Sequence, residues 1–213
     1  MPAYQQINEK MIEVTLNNEE IFAKKGAMIS YQGDVAFSRS FLAGQGVQSM
    51  AMRAVTNEGY ALMAAKGSGK VFYAYDGLFV TIIPVRNETL YVESDVLLAF
   101  DARLTAGTMF LGNQGGVQGI VRGAVSGQGL FTTTFQGNGE VAILSDGNAI
   151  GLPVTPEVPV CVDPQAYIGH TGNLSSSIVT DLNWKTFVGQ ASGESYQMKF
   201  SGSGTVYIQA SER

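Results

Sequence analysis

The sequence at residues 66–73, KGSGKVFY, returns as QGNGEVAI at 136–143 and as SGSGTVYI at 201–208. Each copy reads glycine, polar residue, glycine, polar residue and valine, followed by two residues that are mostly apolar. The first two copies lie 70 residues apart, and the second and third lie 65 residues apart. A motif that recurs at a nearly constant interval indicates a structural unit that is repeated along the chain.

A second block repeats upstream of this motif and supports the same interval. Residues 92–100 (VESDVLLAF) align with residues 162–170 (VDPQAYIGH), and a fainter copy at 23–31 (AKKGAMISY) precedes both. The spacings between these copies are 69 and 70 residues. We therefore predict a single domain, residues 1–213, that consists of three repeats at about 20–85, 88–154 and 159–213.

Each repeat has the composition of β-structure. Short runs rich in Val, Ile, Phe, Tyr and Thr alternate with Gly, Asn and Asp, which is typical of strands separated by turns. Asp76-Gly77 and Asp146-Gly147 occupy equivalent places after the glycine motif and supply the positive φ of a tight hairpin. No stretch keeps the apolar spacing of a helix over three turns. The sequence therefore predicts an all-β fold.

The size and charge of the repeats predict association. One repeat of ~70 residues is close to the size at which a lone hydrophobic core is marginal. Three copies can cover one another's apolar faces, so we expect a pseudo-threefold arrangement. Charged residues make up only 15 % of the chain, against roughly 25 % in an average domain. Sheet edges with few charges are poorly protected against pairing, and we therefore expect a homo-oligomer.

The single cysteine and the distribution of apolar residues predict the compartment. Cys161 cannot form an internal disulfide, and because two valines flank it we expect it to be a small buried hydrophobe. The first residues lack the charged start and apolar core of a signal peptide. The longest apolar run, residues 78–85, is much shorter than a membrane span requires. We expect a soluble, cytoplasmic protein with no membrane span.

Four further stretches resemble the mitochondrial biogenesis family named from the altered-inheritance-of-mitochondria screen: residues 118–131 (QGIVRGAVSGQGLF), 135–141 (FQGNGEV), 43–47 (AGQGV) and 58–63 (EGYALM). That family is similar in fold to the tryptophan RNA-binding attenuation protein. The resemblance implies a short double-stranded β-helix unit that occurs three times, often in oligomers. It also implies a protein without an assigned enzyme activity.

The third repeat departs from the family pattern at two positions. Glu194 stands where the first two copies carry Gly59 and Gly129, and no arginine matches Arg53 and Arg122. A site built from these positions would therefore be incomplete in the third copy. We expect the two arginines to form ion pairs between repeats rather than to bind a substrate.

The residues that carry chemistry do not form an enzyme motif. Cupin metal enzymes share the double-stranded β-helix, but their sites combine two or three histidines with a carboxylate. The chain has one histidine, His170, which we expect in a solvent-side turn. Residues 202–204 (GSG) are too short for the nucleophile elbow of a hydrolase. The acidic candidates fall where strands end or turns begin: Glu93, Asp95, Asp146 and Asp163. We predict a protein that is not an enzyme, with no catalytic, metal-binding or cofactor-binding residues.

Two segments are candidates for phosphate or anion sites. Residues 67–70 (GSGK) superficially match a phosphate-binding loop, but Ala64 replaces the first glycine of that motif and a strand follows. Residues 112–119 carry four glycines, which is typical of a loop or an oligomer contact. The alternative for this segment is a nest of backbone amides that binds an anion.

An RNA-binding surface would need aromatic side chains among basic ones. The aromatic residues of the first repeat lie near Lys66 and Lys70, but the other copies lack the basic partners, so we expect core packing: Phe72, Tyr73, Tyr75 and Phe79. The net charge of −5 also argues against nucleic acid.

We predict a non-enzymatic β-repeat protein that acts as an oligomeric scaffold or assembly component. The alternative is a small-ligand or anion-binding module with pockets between repeats. The ligand, the protein partner and the stoichiometry stay open.

Overall fold

The computed structural model describes residues 1–41, 61–110, 131–179 and 197–211. Within these ranges the chain forms fourteen β-strands and one short 3-10 helix (Ser94–Val96), without an α-helix, which confirms the all-β prediction. No helix in the described ranges has the length and apolar character to cross a bilayer. The strands are β1 (Ala3–Asn8), β2 (Met11–Lys24), β3 (Met28–Phe41), β4 (Ala61–Tyr73), β5 (Phe79–Arg86), β6 (Leu90–Glu93), β7 (Leu97–Asp101), β8 (Thr105–Phe110), β9 (Phe131–Gln136), β10 (Asn138–Ser145), β11 (Ile150–Val154), β12 (Val160–Val162), β13 (Tyr167–Val179) and β14 (Gln197–Ile208).

β5 shows how the apolar pattern selects a strand. Ile83 and Val85 are buried, whereas Pro84 and Arg86 between and after them are exposed, as expected where successive side chains point to opposite faces. β5 lies at the end of its sheet, and proline is tolerated there because an edge strand has amides that need no partner strand.

The strands form two antiparallel sheets of seven strands each. The first has the order β3-β4-β2-β7-β10-β5, with β1 beside β2. The second has the order β11-β14-β13-β6-β9-β8, with β12 beside β14. Three groups of neighbours have the same arrangement: the two strands of a hairpin and, beyond the second of them, a strand from earlier in the chain. These groups are β3-β4-β2, β7-β10-β5 and β13-β14-β11.

The two sheets share one large hydrophobic core. Phe100 on β7 of the first sheet packs against Phe135 on β9 of the second, with ring centroids 4.9 Å apart. Both rings are buried, and residues of both sheets belong to the same cluster. A smaller second core lies on the β11–β14 side of the second sheet: Val154, Val162, Tyr167, Leu174, Met198, Phe200 and Val206.

The first glycine of the repeated motif marks a close approach of two strands. Gly67 in β4 has φ 142° and Gly202 in β14 has φ 124°, a region that L side chains rarely adopt. A Cβ on Gly67 would lie 2.1 Å from the carbonyl oxygen of Asp34, and one on Gly202 would lie 2.3 Å from that of Asn173. At both positions glycine therefore lets the paired strands approach each other at a distance where a larger residue would clash.

The middle hairpin passes from one sheet to the other. Its strands β7 and β10 lie in the first sheet, and its continuations β8 and β9 lie in the second. The passage occurs at a turn in which the Leu104 amide donates to the Asp101 carbonyl over 3.0 Å. The Leu104 side chain fills the space beside Gly139. This hairpin thus joins the two sheets covalently.

The structure corrects the predicted positions of two residues. Cys161, expected to be buried, is exposed, because β12 is a three-residue strand with one inward side chain, Val162, and alternate residues face outward. His170, expected in a solvent-side turn, lies inside β13 and is 3 % exposed. Its strand is paired on both sides, by β6 and β14.

Candidate interaction surface

The first half of β3 is an exposed apolar sheet edge. β3 pairs with β4 on one side, and among the described strands none pairs with its other side. Met28, Ile29 and Tyr31 are 42 %, 56 % and 49 % exposed, and residues 28–32 carry no charge. We call residues 28–32 the β3 edge. An edge strand presents unpaired backbone N–H and C=O groups, so this surface offers both backbone and apolar side-chain contacts.

An open cleft of about 410 Å³ adjoins the β3 edge. The Lys24 ammonium lies 4.9 Å from the centre of the Tyr75 ring and donates to the carbonyl of Asp95 over 2.8 Å. Burial lowers the pKa of Lys24. A cation held on an aromatic face thus stands beside the cleft. The residues that line the cleft are Gly26, Ile29, Ala74, Tyr75, Asp76 and Gly77.

A second exposed edge lies in the other sheet, at β12. β12 pairs with β14, and its other side meets no strand in the part of the chain that the structure describes. Cys161 faces solvent, and Val158 just before the strand is 60 % exposed. We call residues 160–162 the β12 edge. The β3 edge and the β12 edge are thus two uncharged strand edges, one in each sheet, that are open to solvent.

His170 belongs to a buried aromatic cluster. Its ring stacks on Tyr91 with centroids 4.3 Å apart and planes 7° apart, and the Phe200 ring lies 5.5 Å away. A hydrogen bond of 2.6 Å joins its Nδ1 to the Tyr167 hydroxyl. Burial lowers the pKa of His170 to about 4 and raises the pKa of Tyr167 well above its usual value. Both groups are therefore neutral at pH 7, which suits a structural pair.

Two carboxylates that the sequence did not single out form ion pairs inside or beside the core. Asp101 is fully buried and accepts from Nε and a terminal nitrogen of Arg103, which raises the pKa of Arg103. Glu13 lies 2.9 Å from the Lys70 ammonium, and that hydrogen bond lowers the pKa of Glu13. The sequence pattern did not predict either pair: Asp101 and Arg103 meet in the turn after β7, and Glu13 and Lys70 meet across the β2–β4 ladder.

The predicted acidic candidates lie where strands end and turns begin, as expected. Glu93 is the last residue of β6, and Asp95 lies in the 3-10 helix. Asp146 directly follows β10, and its amide donates to Gln209 Oε1 over 3.2 Å. Asp163 follows β12 and accepts from the Gln165 amide over 2.7 Å. Among the residues described, no three His, Cys, Asp or Glu side chains come together as metal ligands.

The structure also locates the remaining sequence candidates. Residues 67–70 lie within β4, so they are strand rather than phosphate-binding loop. Tyr73 is in the core as predicted, and Phe72 and Phe79 are partly buried. Arg53, Arg122 and residues 112–119 lie outside the described residues, so their predicted roles stay predictions.

A family model described as mitochondrial biogenesis AIM24 matches residues 4–211. The chain belongs to this family. The predicted resemblance is thereby confirmed. The AIM24-family chain is also similar to the crystal structure of protein SPYM3_0169 from Streptococcus pyogenes, with 19 % identity and a TM-score of 0.70. That match covers 100 % of this chain and 94 % of the other, and shows a shared fold. The comparison with curated proteins found no significant match.

Proposed function

We propose that this AIM24-family protein is a non-enzymatic scaffold that acts as a homo-oligomer. The observation that carries the proposal is the β3 edge, where Met28, Ile29 and Tyr31 are exposed on a strand with a free side among the described residues. Natural sheets usually protect such edges with lysine, proline or a covering segment. Pairing with another chain would satisfy the backbone groups and cover the apolar side chains together.

We also propose that the domain, residues 1–213, is three double-stranded β-helix units around a pseudo-threefold axis. The three groups β3-β4-β2, β7-β10-β5 and β13-β14-β11 support this arrangement, since the strands of each group pair in the same order. The motif glycines support it as well, because Gly67, Gly137 and Gly202 all have positive φ. Likeness to the tryptophan RNA-binding attenuation protein and a cytoplasmic location stay predictions from the sequence.

The pairing of polar groups supports a scaffold rather than an enzyme or a nucleic-acid binder. The buried Tyr167 and His170 side chains bond to each other. Three of the described basic side chains lie beside acids: Lys70 by Glu13, Arg86 by Glu140 and Arg103 by Asp101. Basic groups neutralised in this way contribute little to an electrostatic grip on phosphates.

The test is the molar mass of the purified protein. Light scattering after size-exclusion chromatography should give a multiple of 22.7 kDa. Ile29→Lys should lower that mass, because a lysine on an edge strand disfavours pairing. Ile7→Lys is the matched control, since Ile7 is also an exposed isoleucine (46 %) but lies on β1. A 22.7 kDa monomer at all concentrations would contradict the proposal.

The cleft favours small-ligand binding as a second candidate function. Its volume of about 410 Å³ is within the range of small-molecule sites, and the Lys24 ammonium beside it would attract an anionic group. The cleft lies within the first repeat, whereas pockets between repeats were expected. A thermal-shift screen of anionic metabolites should raise the melting temperature with concentration, and Lys24→Gln should reduce that shift. No shift with any compound would count against this function.

A further inference from the structure

We propose that a second copy of the chain pairs its β12 edge with the β3 edge of the first, in an antiparallel ladder. This inference rests on the proposed homo-oligomer, because it names the surfaces and the partner through which that oligomer forms.

The chain already makes this type of ladder twice. β2 pairs with β7, and the central pair is Phe22 opposite Phe100. β6 pairs with β13, and the central pair is Tyr91 opposite His170. In both cases the strand segment that precedes one hairpin pairs with the first strand of the next hairpin. The central rings are in contact in both ladders, with centroids 5.3 and 4.3 Å apart.

The strands for a third ladder are present but separate. Residues 160–162 lie 70 positions after residues 90–92, and residues 30–32 lie 139 positions before residues 169–171. β12 is thus the equivalent of β6 in the third repeat. The β3 edge is the equivalent, in the first repeat, of the start of β13. Tyr31 is 49 % exposed and Cys161 is exposed, so the two edges do not cover each other within one chain, and the proposed pseudo-threefold arrangement of repeats is open at this ladder. Two copies can bring them together.

The existing ladder also sets the register of the proposed one. In the β6–β13 ladder Leu90, Tyr91 and Val92 lie opposite Thr171, His170 and Gly169. The equivalent pairs between two copies place Val160 opposite Gln32, Cys161 opposite Tyr31 and Val162 opposite Ser30. Side chains that lie directly opposite in an antiparallel pair have Cβ atoms about 4.5–5.5 Å apart.

The two edges themselves are uncharged, so their pairing places no charged side chain inside the ladder. Neither residues 28–32 nor residues 160–162 contain a charged residue. The flanking charges differ between the two ends of the ladder. Lys25 of one copy and Asp163 of the other have opposite signs at the end where β3 begins, whereas Asp34 and Glu157 are both acidic at the other end. The backbone and apolar side-chain contacts of the two edges therefore carry the proposed pairing.

The experiment is a disulfide crosslink that uses the native cysteine. Tyr31→Cys places a thiol opposite Cys161 of a neighbouring copy, within the reach of a disulfide. Mild oxidation should give dimers and larger species on a non-reducing gel, and reduction should remove them. The crosslink should be lost when Cys161→Ser is added. Ala36→Cys, exposed on the second half of the same strand, is the matched control and should give little crosslinking.

Any other outcome of the crosslinking experiment would contradict the proposed β3–β12 interface. A disulfide within single chains would mean that the edges meet in one molecule, and crosslinking that persists with Cys161→Ser would place β3 against β3. An oligomer without the crosslink would refute this interface but keep the proposed function, whereas a monomer by light scattering would refute both. If Tyr31→Cys does not fold, Gln32→Cys with Val160→Cys in a Cys161→Ser background tests the adjacent pair.

Discussion

His170 is held in β13 by the stacked ring of Tyr91 and by the hydrogen bond to Tyr167. Glycines on both sides of it in the sequence suggested a turn, yet the strand continues through them because two strands pair with it. The burial of a titratable ring in this environment links the stability of the fold to pH. Burial lowers the pKa of His170 to about 4, whereas an unfolded chain has an ordinary imidazole with a pKa near 6.5.

Acid should therefore destabilise the protein through His170. Between about pH 6.5 and pH 4 the unfolded chain binds a proton that the folded chain does not, so the free energy of unfolding falls as the pH falls through this window. The full loss is about 3 kcal/mol. Urea unfolding at pH 7 and at pH 4.5 should record most of this loss.

His170→Phe provides the control for this prediction. Phenylalanine keeps an aromatic ring against Tyr91 but cannot titrate, so the variant should lose less stability between the two pH values than the parent. Equal losses in the two proteins would show that other groups cause the acid sensitivity.

At the scale of elements, the close approach of the paired strands in the first and third hairpins depends on the motif glycines. Gly202 in β14 combines φ 124° with a distance of 2.3 Å from a would-be Cβ to the carbonyl oxygen of Asn173. Gly202→Ala should lower the free energy of unfolding by more than about 2 kcal/mol, because both backbone strain and a clash oppose it. Thermal or urea unfolding followed by circular dichroism gives the difference.

Gly26→Ala separates the two causes. Gly26 also has a positive φ, 84°, but nothing lies within 4 Å of a Cβ there. Its substitution should cost about 1 kcal/mol from backbone strain alone. Equal losses in the free energy of unfolding for the two substitutions would show that the close approach to Asn173 causes no further destabilisation.

The local patterns of the sequence predicted the strands and the positive φ of Asp76, Gly77 and Gly147. The hairpin prediction was wrong, because the first of these turns joins β4 to β5 and the second joins β10 to β11, and neither pair of strands is hydrogen-bonded. The sequence could not reveal which strands lie at an edge, because that depends on pairing between distant segments. Cys161 illustrates this: Val160 and Val162 beside it suggested burial, but the side chain faces solvent on a strand that β14 pairs on one side.

At the scale of the whole molecule, the Phe100–Phe135 contact joins the two sheets. Phe100→Ala should lower the free energy of unfolding by about 3–5 kcal/mol, as expected for a large buried ring. Because both sheets share the core, unfolding should remain a single transition. Denaturant unfolding monitored by circular dichroism and by tyrosine fluorescence tests both statements.

Phe79→Ala is the comparison, since Phe79 is only partly buried. It should cost no more than about 1 kcal/mol. Two separate transitions, with one of them unchanged in Phe100→Ala, would mean that the sheets are stabilised independently of each other.

The repeats were visible in the sequence, but the way in which they join was not. Residues 66–73 and 136–143 have nearly the same pattern. Nevertheless, the first motif lies in one continuous strand, whereas the second lies where its hairpin leaves one sheet for the other. Asp101 and Arg103 form the turn of that passage through a local ion pair, and Leu104 packs beside Gly139, which is a contact between distant segments that the repeated motif does not encode.

In the proposed pairing, the unlike edges at β3 and β12 would give the assembly a direction. A copy that joins through one edge would still present the other, so each addition would restore the site for the next one. Growth of this kind has a head and a tail, and its extent follows the protein concentration unless the curvature returns the last copy to the first. A single blocked edge would therefore act as a terminator that caps one end and leaves the other able to grow.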